Sequence, residues 1–315
     1  MADQALRPVF VVGSYRSGTS IFCWCLGQHP NIVNLPETNW LARLGVDLDN
    51  LYRLATINGH FSHLAQAQLS RDDFYRLFGE GVERVMQAAN PKLIEFTERK
   101  VKGEMHRRRS PSDPKGRWAD ATPENSHYVY PLSKLFPEAR FIHLLRSPHD
   151  VARSLMKFSQ VGARDYHHDE AYRTWMRLTR AAWLGERALG PARALRMRYE
   201  DFTGQPEQAF RRIMAFLGED YSADCLKPLD SKINSSKVDR DSVPVDTSTA
   251  AAREAEQLYR QILSAPENPE QGDPSAYQEM QHSFEEYCRT DRAPPVEQVR
   301  RGLAARLGAL WSRRA

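Results

Sequence analysis

Val11-Val12-Gly13-Ser14-Tyr15-Arg16-Ser17-Gly18-Thr19-Ser20 is the stretch that decides the fold. The run leading into it, Pro8-Val9-Phe10-Val11-Val12, is apolar and of strand length, which predicts a short buried strand. A helical pattern follows from Ser17 through Gly27. Gly13 and Gly18 keep the four-residue gap of a phosphate-binding loop. In such a loop, backbone N–H groups and a helix N-terminus hold an anion together. The common nucleotidase loop continues with Lys and then Ser or Thr. Here Thr19 takes the lysine's place, and the cation, Arg16, sits inside the loop. The amides of Ser17 to Ser20, the hydroxyls of Thr19 and Ser20, and the forked guanidinium of Arg16 are the candidate anion ligands.

Outward from this loop, strand and helix patterns alternate. Ile32-Val33-Asn34-Leu35 reads as a second short strand, ended by Pro36-Glu37. Residues 38–100 are mostly helical in pattern, with Ser70 as an N-cap and Asp73 three residues on. Residues 101–117 form a basic loop containing Arg107, Arg108, Arg109 and Lys115. After Trp118-Ala119-Asp120-Ala121-Thr122-Pro123 a helix is expected from about Asn125 to Phe136. Phe141-Ile142-His143-Leu144-Leu145 is a strand candidate, and Pro148 is placed to be the first residue of the next helix. A helix over 169–189, a strand over 194–199 and a helix over 206–217 complete the pattern.

This alternation predicts an α/β fold: P-loop-like, with a mostly parallel sheet flanked by helices and a helical C-terminal extension. In such sheets ligands bind at the carboxyl ends of the strands. The expected division is a domain over residues 1–248 and an extension over 249–315, packing on that domain or on the partner subunit of a homodimer. Within the extension, residues 250–264 and 275–288 read as helices. Residues 295–313 carry Val296, Val299, Leu303, Leu307, Leu310 and Trp311 among arginines, the pattern of a basic amphipathic helix.

The chain has 315 residues, 41% of them hydrophobic, enough to build a sizeable core. A formal net charge of +4 is too small to argue for nucleic acid, but suits an anionic ligand. Cys23, Cys25, Cys225 and Cys288 are too few and scattered for a disulfide framework and read as free thiols. The first residues hold no apolar run of signal-peptide type, and no window approaches 18 apolar residues, so a cytoplasmic protein is expected.

Three further constellations stand beside the loop. Arg146 ends a strand and Ser154 lies on the helix after it, next to a helix N-terminus, so the two could hold a second, separate phosphate. Lys232-Ile233-Asn234-Ser235-Ser236-Lys237 combines small hydroxyls with lysines and suits a phosphate or sulfate lid, with Ser235, Ser236 and Lys237 as its ligands. Glu37 places a carboxylate near the loop, where it could act as a general base. His143 and His149 lie near Arg146, but read as a core strand residue and a helix-surface residue. No metal site is expected.

Together these four elements resemble the sulfotransferases that use the donor PAPS (3′-phosphoadenosine 5′-phosphosulfate), in particular the bacterial and tyrosylprotein-like members. In that family the first strand-loop-helix binds the 5′-phosphosulfate, and the loop often reads Pro-Lys or Pro-Arg followed by Ser-Gly-Thr-Thr or Ser-Gly-Thr-Ser. Tyr15-Arg16-Ser17-Gly18-Thr19-Ser20 is the match here. A second family motif, an arginine at a strand end with a serine eight residues on, binds the 3′-phosphate, and Phe141 to Ser154 fits it through Arg146 and Ser154. Arg198-Tyr199-Glu200-Asp201-Phe202 resembles the family's Arg-Tyr-Glu-Asp-Leu element, which adds Tyr199 to the nucleotide ligands. The resemblance spans about residues 8–240.

The resemblance implies in-line transfer of a sulfuryl group from PAPS, without a metal, to a hydroxyl or amine. Arg16 would stabilise charge on the transferring group. Glu37 would take the acceptor's proton, as a glutamate after the second strand does in tyrosylprotein sulfotransferases. The acceptor, a small molecule, carbohydrate or peptide, would sit over the helices of 38–100 and the 101–117 loop. One position departs: family members often read Asp-Lys-Thr-Pro where this chain has Asp120-Ala121-Thr122-Pro123, so Arg16 and Lys237 would have to supply that lysine's charge. Two other readings compete. A P-loop kinase of a small metabolite would need a lysine after Gly18 and a strand ending in a metal-binding Asp, and the sequence gives neither convincingly. A catalytically inactive nucleotide-binding homologue has only Ala121 in its favour.

Overall fold

The computed structural model describes residues 7–100, 116–157, 165–230, 244–267 and 271–290. Five parallel strands form one sheet: β1 (Val9–Val12), β2 (Ile32–Asn34), β3 (Arg117–Asp120), β4 (Arg140–Leu145) and β5 (Ala194–Arg198), in the order β2-β3-β1-β4-β5. β1 is central, with Phe10 opposite Asp120 of β3 on one side and opposite Phe141 of β4 on the other. Its four apolar residues are all buried, and they alternate in purpose. Phe10 and Val12 join a cluster on one face, Val9 and Val11 a cluster on the other. That period of two is what a strand covered on both faces requires.

Helices fill both faces. α1 (Thr19–Gly27) and α9 (Pro206–Leu217) pack Phe22, Leu26, Phe210 and Ile213 beneath Val9 and Val11. On the opposite face, α2 (Trp40–Ala55), α4 (Arg71–Lys100) and α5 (Val129–Leu135) share a cluster with Phe10 and Trp118. α6 (Pro148–Met156) and α7 (His168–Leu189) meet in a third cluster built around Tyr172 and Trp175. The short helices α3 (His63–Gln66), α8 (Tyr199–Gly204) and α10 (Lys227–Asp230) connect these layers. α11 (Ala250–Ser264) buries Ala252, Ala255 and Ile262 in the Tyr172–Trp175 cluster, and α12 (Pro274–Thr290) buries Met280 and Phe284 in the Phe10 cluster. Residues 295–313 lie outside the described residues.

Most expected elements form within a residue or two of their sequence limits, and three depart. The helix after the loop begins at Thr19, not Ser17, because the Ser17 N–H donates to the Ser14 carbonyl at 3.2 Å and Gly18 sits at φ 93°. The expected helix over 125–136 is a 3-10 turn, Pro123–Tyr128, followed by α5. Asn125 is drawn to the sheet by its Nδ2, which donates to Asp120 at 2.8 Å. Finally, Arg117–Asp120 is a strand that no sequence pattern announced.

β3 escapes a local reading because its charged ends are balanced from far away. Arg117 is buried, donating to the Leu217 carbonyl at 2.7 Å and pairing with Glu219 at 3.4 Å. Asp120 is fully buried and accepts from the Thr38 hydroxyl at 2.6 Å, from Asn125, and from both the amide and the hydroxyl of Thr122. A strand therefore does end in an Asp beside the loop strand, contrary to expectation. Both oxygens of that carboxylate are already committed to hydrogen bonds.

Candidate active site

Three strand ends deliver the candidate site. Beyond β1 the chain turns through the loop, with Gly13 at φ 146°, Arg16 at φ 64° and Gly18 at φ 93°. Gly13 is required twice over. Its backbone lies in the left-handed region, and a Cβ there would stand 2.5 Å from the Leu144 carbonyl of β4. At Gly18 a Cβ would collide with the Tyr199 ring, which packs directly on the loop. The first turn of α1 begins at that point, and its N–H groups have no intrahelical acceptor.

Arg16 is a non-glycine residue in the left-handed region, a strained backbone of the kind that accumulates at ligand clamps. It is held from both ends. Its Nε donates to the Ser154 hydroxyl on α6 at 2.9 Å, and its carbonyl accepts from Arg146 Nη1 at 2.9 Å. Arg146 in turn lies over the Tyr199 ring, 4.2 Å from its centroid, and its carbonyl accepts from the Trp175 indole at 3.1 Å. Ser147, at the start of α6, donates its N–H to Glu200 at 3.3 Å. The structure thus brings together Arg16, Ser17, Gly18, Thr19, Ser20, Arg146, Ser154 and Tyr199, residues drawn from the loops and helices that follow β1, β4 and β5.

The electrostatics favour an anion. Burial first, and then the adjacent Arg146 charge, push the Arg16 guanidinium below its ordinary pKa. An anion bound between the two would relieve that repulsion. The hydroxyl oxygens of Ser14 and Ser17 and the Nε of Arg146 are buried with no hydrogen-bond partner among the described residues. Buried orphans of this kind call for an explanation, and a phosphate or sulfate oxygen would satisfy them. Thr19 is buried and Ser20 exposed, so the two hydroxyls sit differently at the start of α1.

Glu37 is exposed on the loop between β2 and α2. That loop is fastened to the carboxyl end of β3, the strand beside β2 in the sheet, where the Thr38 N–H donates to Thr122 Oγ1 at 2.9 Å and its hydroxyl reaches Asp120. Ala121 is buried in the apolar cluster with Phe22 and Ile142. Ser235, Ser236 and Lys237, like the basic segment with Arg107 to Arg109 and Lys115, lie outside the described residues. His143 is a buried strand residue, its Nδ1 2.7 Å from Glu186, and His149 is part-buried on α6, 2.8 Å from the Tyr172 hydroxyl.

Sequence reasoning passed over several neighbours of the loop. The Tyr15 hydroxyl donates to Glu124, and burial followed by this carboxylate holds the phenol well above its ordinary pKa. Ser126 bridges the loop by accepting from the Gly13 N–H at 2.9 Å and donating to the Gly13 carbonyl at 3.2 Å. Both Glu124 and Ser126 belong to the 3-10 turn after β3, and the missed strand hid them. All four cysteines are buried, and none is disulfide-bonded. Among the described residues no group of three or more His, Cys, Asp or Glu side chains is placed to hold a metal ion, and no helix is long and apolar enough to cross a membrane.

Comparison with known proteins bears on what this geometry serves. A family model described as "Sulfotransferase family" matches residues 8–223. The omega-hydroxy-beta-dihydromenaquinone-9 sulfotransferase Stf3 of Mycobacterium bovis is 31% identical over 105 residues, which is 30% of this chain and 27% of that protein, and the Mycobacterium tuberculosis protein of the same name matches equally. The aligned part thus spans about a quarter of the length of these curated relatives. Among solved structures, the sulfotransferase domain of the Synechococcus PCC 7002 olefin synthase aligns over 93% of this chain and 98% of its own, at 20% identity and a TM-score of 0.45. Sulfotransferase STF9 from Mycobacterium avium aligns over 85% of this chain and 79% of its own, at 17% identity and a TM-score of 0.45.

Proposed function

The chain belongs to the sulfotransferase family, and from that premise we propose that it moves a sulfuryl group from PAPS to an acceptor hydroxyl by in-line displacement. The observation that carries this reading is the joining of Arg16, Arg146 and Ser154 at the mouth of a glycine-bounded loop. Two guanidiniums and a set of unsatisfied buried hydroxyls fit a nucleotide bearing two separated anionic groups. The loop amides, Ser17, Thr19, Ser20 and Arg16 would hold the 5′-phosphosulfate, and Arg146 and Ser154 the 3′-phosphate. Tyr199 would support both by packing on Gly18 and under Arg146. Ser235, Ser236 and Lys237 would add hydroxyl and ammonium ligands to the nucleotide.

The donor supplies a sulfur–oxygen bond whose cleavage releases adenosine 3′,5′-bisphosphate as the acceptor oxygen bonds to sulfur. The protein's part is electrostatic and positional. Arg16 offers a fixed guanidinium to the charge that builds on the bridging oxygen, where a preorganised donor is worth most. Glu37 takes the acceptor's proton onto its carboxylate. The chain works in the cytoplasm in this reading, and the menaquinone-type acceptor named for Stf3 makes hydroxylated lipids and aromatics a first acceptor panel.

Incubation with sulfur-labelled PAPS and that panel should give labelled product, whereas ATP-Mg²⁺ should give no phosphorylated one. Replacing Glu37 with Gln should lower kcat by about 10²–10⁴-fold, the contribution of a positioned base, while leaving the donor KM within a few-fold. Transfer from ATP but not from PAPS would establish the kinase instead. An unchanged kcat in Glu37→Gln would remove Glu37 from the proton transfer.

A further inference from the structure

A cavity of about 720 Å³ runs along α7, walled by the 3-10 turn after β3, by α11 and by α12. Its size lies in the range that accepts a small organic ligand. Much of its wall is apolar, with Val129, Ala181, Leu184, Leu258, Met280 and Phe284 contributing. It borders neither α2 nor α4, so it is not where the sequence placed the acceptor.

Two observations tie this cavity to a ligand of definite chemistry. The first is its link to the loop. Glu124 lines the cavity and accepts the hydroxyl of Tyr15, the residue just before Arg16. Glu124 Oε2 is buried without a hydrogen-bond partner, and so is the indole Nε1 of Trp183. Residues that line the cavity therefore carry buried unsatisfied polar atoms beside an apolar wall, a combination found in small-molecule sites.

The second is its charge. Three arginines line the cavity. Arg180 pairs with Glu254 at 2.6 Å and Arg187 with Asp273 at 2.8 Å. Arg177 instead donates to His127 Nε2 at 2.8 Å, and no carboxylate pairs with it among the described residues. Burial first, then the Arg177 charge, push the His127 pKa down to about 4, so the imidazole is neutral near pH 7 and accepts rather than repels. Arg177 is thus a cation facing a largely apolar cavity with no direct carboxylate partner among the described residues, Glu124 and Glu279 being the acidic side chains on the same lining.

We propose that this cavity is the acceptor site, and that its acceptor is a hydroxyl-bearing aromatic or aliphatic molecule carrying an anionic group. The apolar body would lie against α7 and α12, the anion on Arg177, and the hydroxyl toward the Glu124 end beside the loop. The assignment of a reacting hydroxyl rests on the sulfuryl-transfer reading, while the cavity and its charge preference do not.

Calorimetry on the full chain saturated with adenosine 3′,5′-bisphosphate tests it, using 3-(4-hydroxyphenyl)propionate and its uncharged amide as probes. The acid should bind about tenfold more tightly than the amide, the worth of one charge-assisted contact. Arg177→Met, at an exposed helix position, should erase that preference by weakening the acid alone. Ala181→Trp, which fills the cavity, should abolish binding of both. Equal affinities in the unaltered protein, a preference that survives Arg177→Met, failure of either probe to bind, or unaffected binding in Ala181→Trp would overturn the proposal. If the acid binds with its Arg177 dependence while adenosine 3′,5′-bisphosphate does not bind, the cavity assignment stands and the donor reading fails.

Discussion

Arg16→Ala should lower turnover by about 10²–10³-fold, the loss measured when one preorganised charge-stabilising donor is removed from an active site. The substitution keeps the fold intact for a specific reason. Alanine tolerates φ 64° about as well as arginine does, and the loop is still anchored by the Arg146 bond to the residue 16 carbonyl and by Ser126 on Gly13. What disappears is a guanidinium held at a fixed angle by Ser154. Arg16→Lys should recover only part of the activity, because an ammonium cannot reproduce the fork. Steady-state kinetics with saturating donor would show this as a fall in kcat alongside an unchanged melting temperature. Retention of more than a tenth of the activity by Arg16→Ala would assign the charge stabilisation to another group.

The second large effect concerns stability. Glu186 on α7 is buried between His143 of β4, at 2.7 Å, and Arg196 of β5, at 2.5 Å. Arg196 also donates to the carbonyls of Ile262 and Ala265, so it fastens the end of α11 to the sheet. Removing one partner of a buried pair leaves an uncompensated charge and costs about 3–5 kcal/mol. Glu186→Ala should therefore lower Tm by about 5–8 °C for a protein of this size. Glu186→Ala combined with Arg196→Met should be milder than Glu186→Ala alone, because no buried charge is stranded. The pH dependence has a definite sign. Burial raises the Glu186 pKa, but the hydrogen bonds and charges of His143 and Arg196 outweigh it and hold the carboxyl below its ordinary value of 4.5. Its contribution is then complete above that value and is lost as the pH falls through the lower folded one. Denaturant melts from pH 7 to pH 3 should show this acid-side loss in the unaltered protein and its absence in Glu186→Ala. A cost under about 1 kcal/mol for that variant would contradict the account.

This network also bears on function. His143 lies three residues before Arg146, and Arg196 three before Tyr199, so the same buried network that holds α7 to β4 and β5 sets the positions of two of the proposed nucleotide ligands. Nothing in the sequence pattern around His143 or Arg196 reveals this, because Glu186 belongs to a helix that packs across both strands.

The loop was legible because its signal is local. An apolar run, two glycines at fixed spacing and a helix pattern are all written within twenty residues, and the structure adds that Gly13 and Gly18 are held against Leu144 and Tyr199. Arg146 and Ser154 were singled out by the family motif rather than by their local pattern, and the structure adds that both are hydrogen-bonded to Arg16. β3 was not. Its four residues begin and end in charge, and the partners that make those charges tolerable in the core, Leu217, Glu219 and Thr38, are remote in sequence. Losing β3 also hid Glu124 and Ser126, which reach the loop only because the turn after that strand lies over it. The cavity along α7 was invisible too, since its walls come from segments that meet only after folding.

The proposed function stands on two adjacent arginines, Arg16 and Arg146, as a cradle for a nucleotide phosphorylated at both the 3′ and 5′ positions. Calorimetric titration with adenosine 3′,5′-bisphosphate and with adenosine 5′-phosphate tests it directly, on the unaltered protein and on Arg146→Ala. The unaltered protein should bind the bisphosphate at least about tenfold more tightly, and Arg146→Ala should bind the two nucleotides alike. Equal affinity for the two nucleotides in the unaltered protein, or a preference that survives the loss of Arg146, would contradict it.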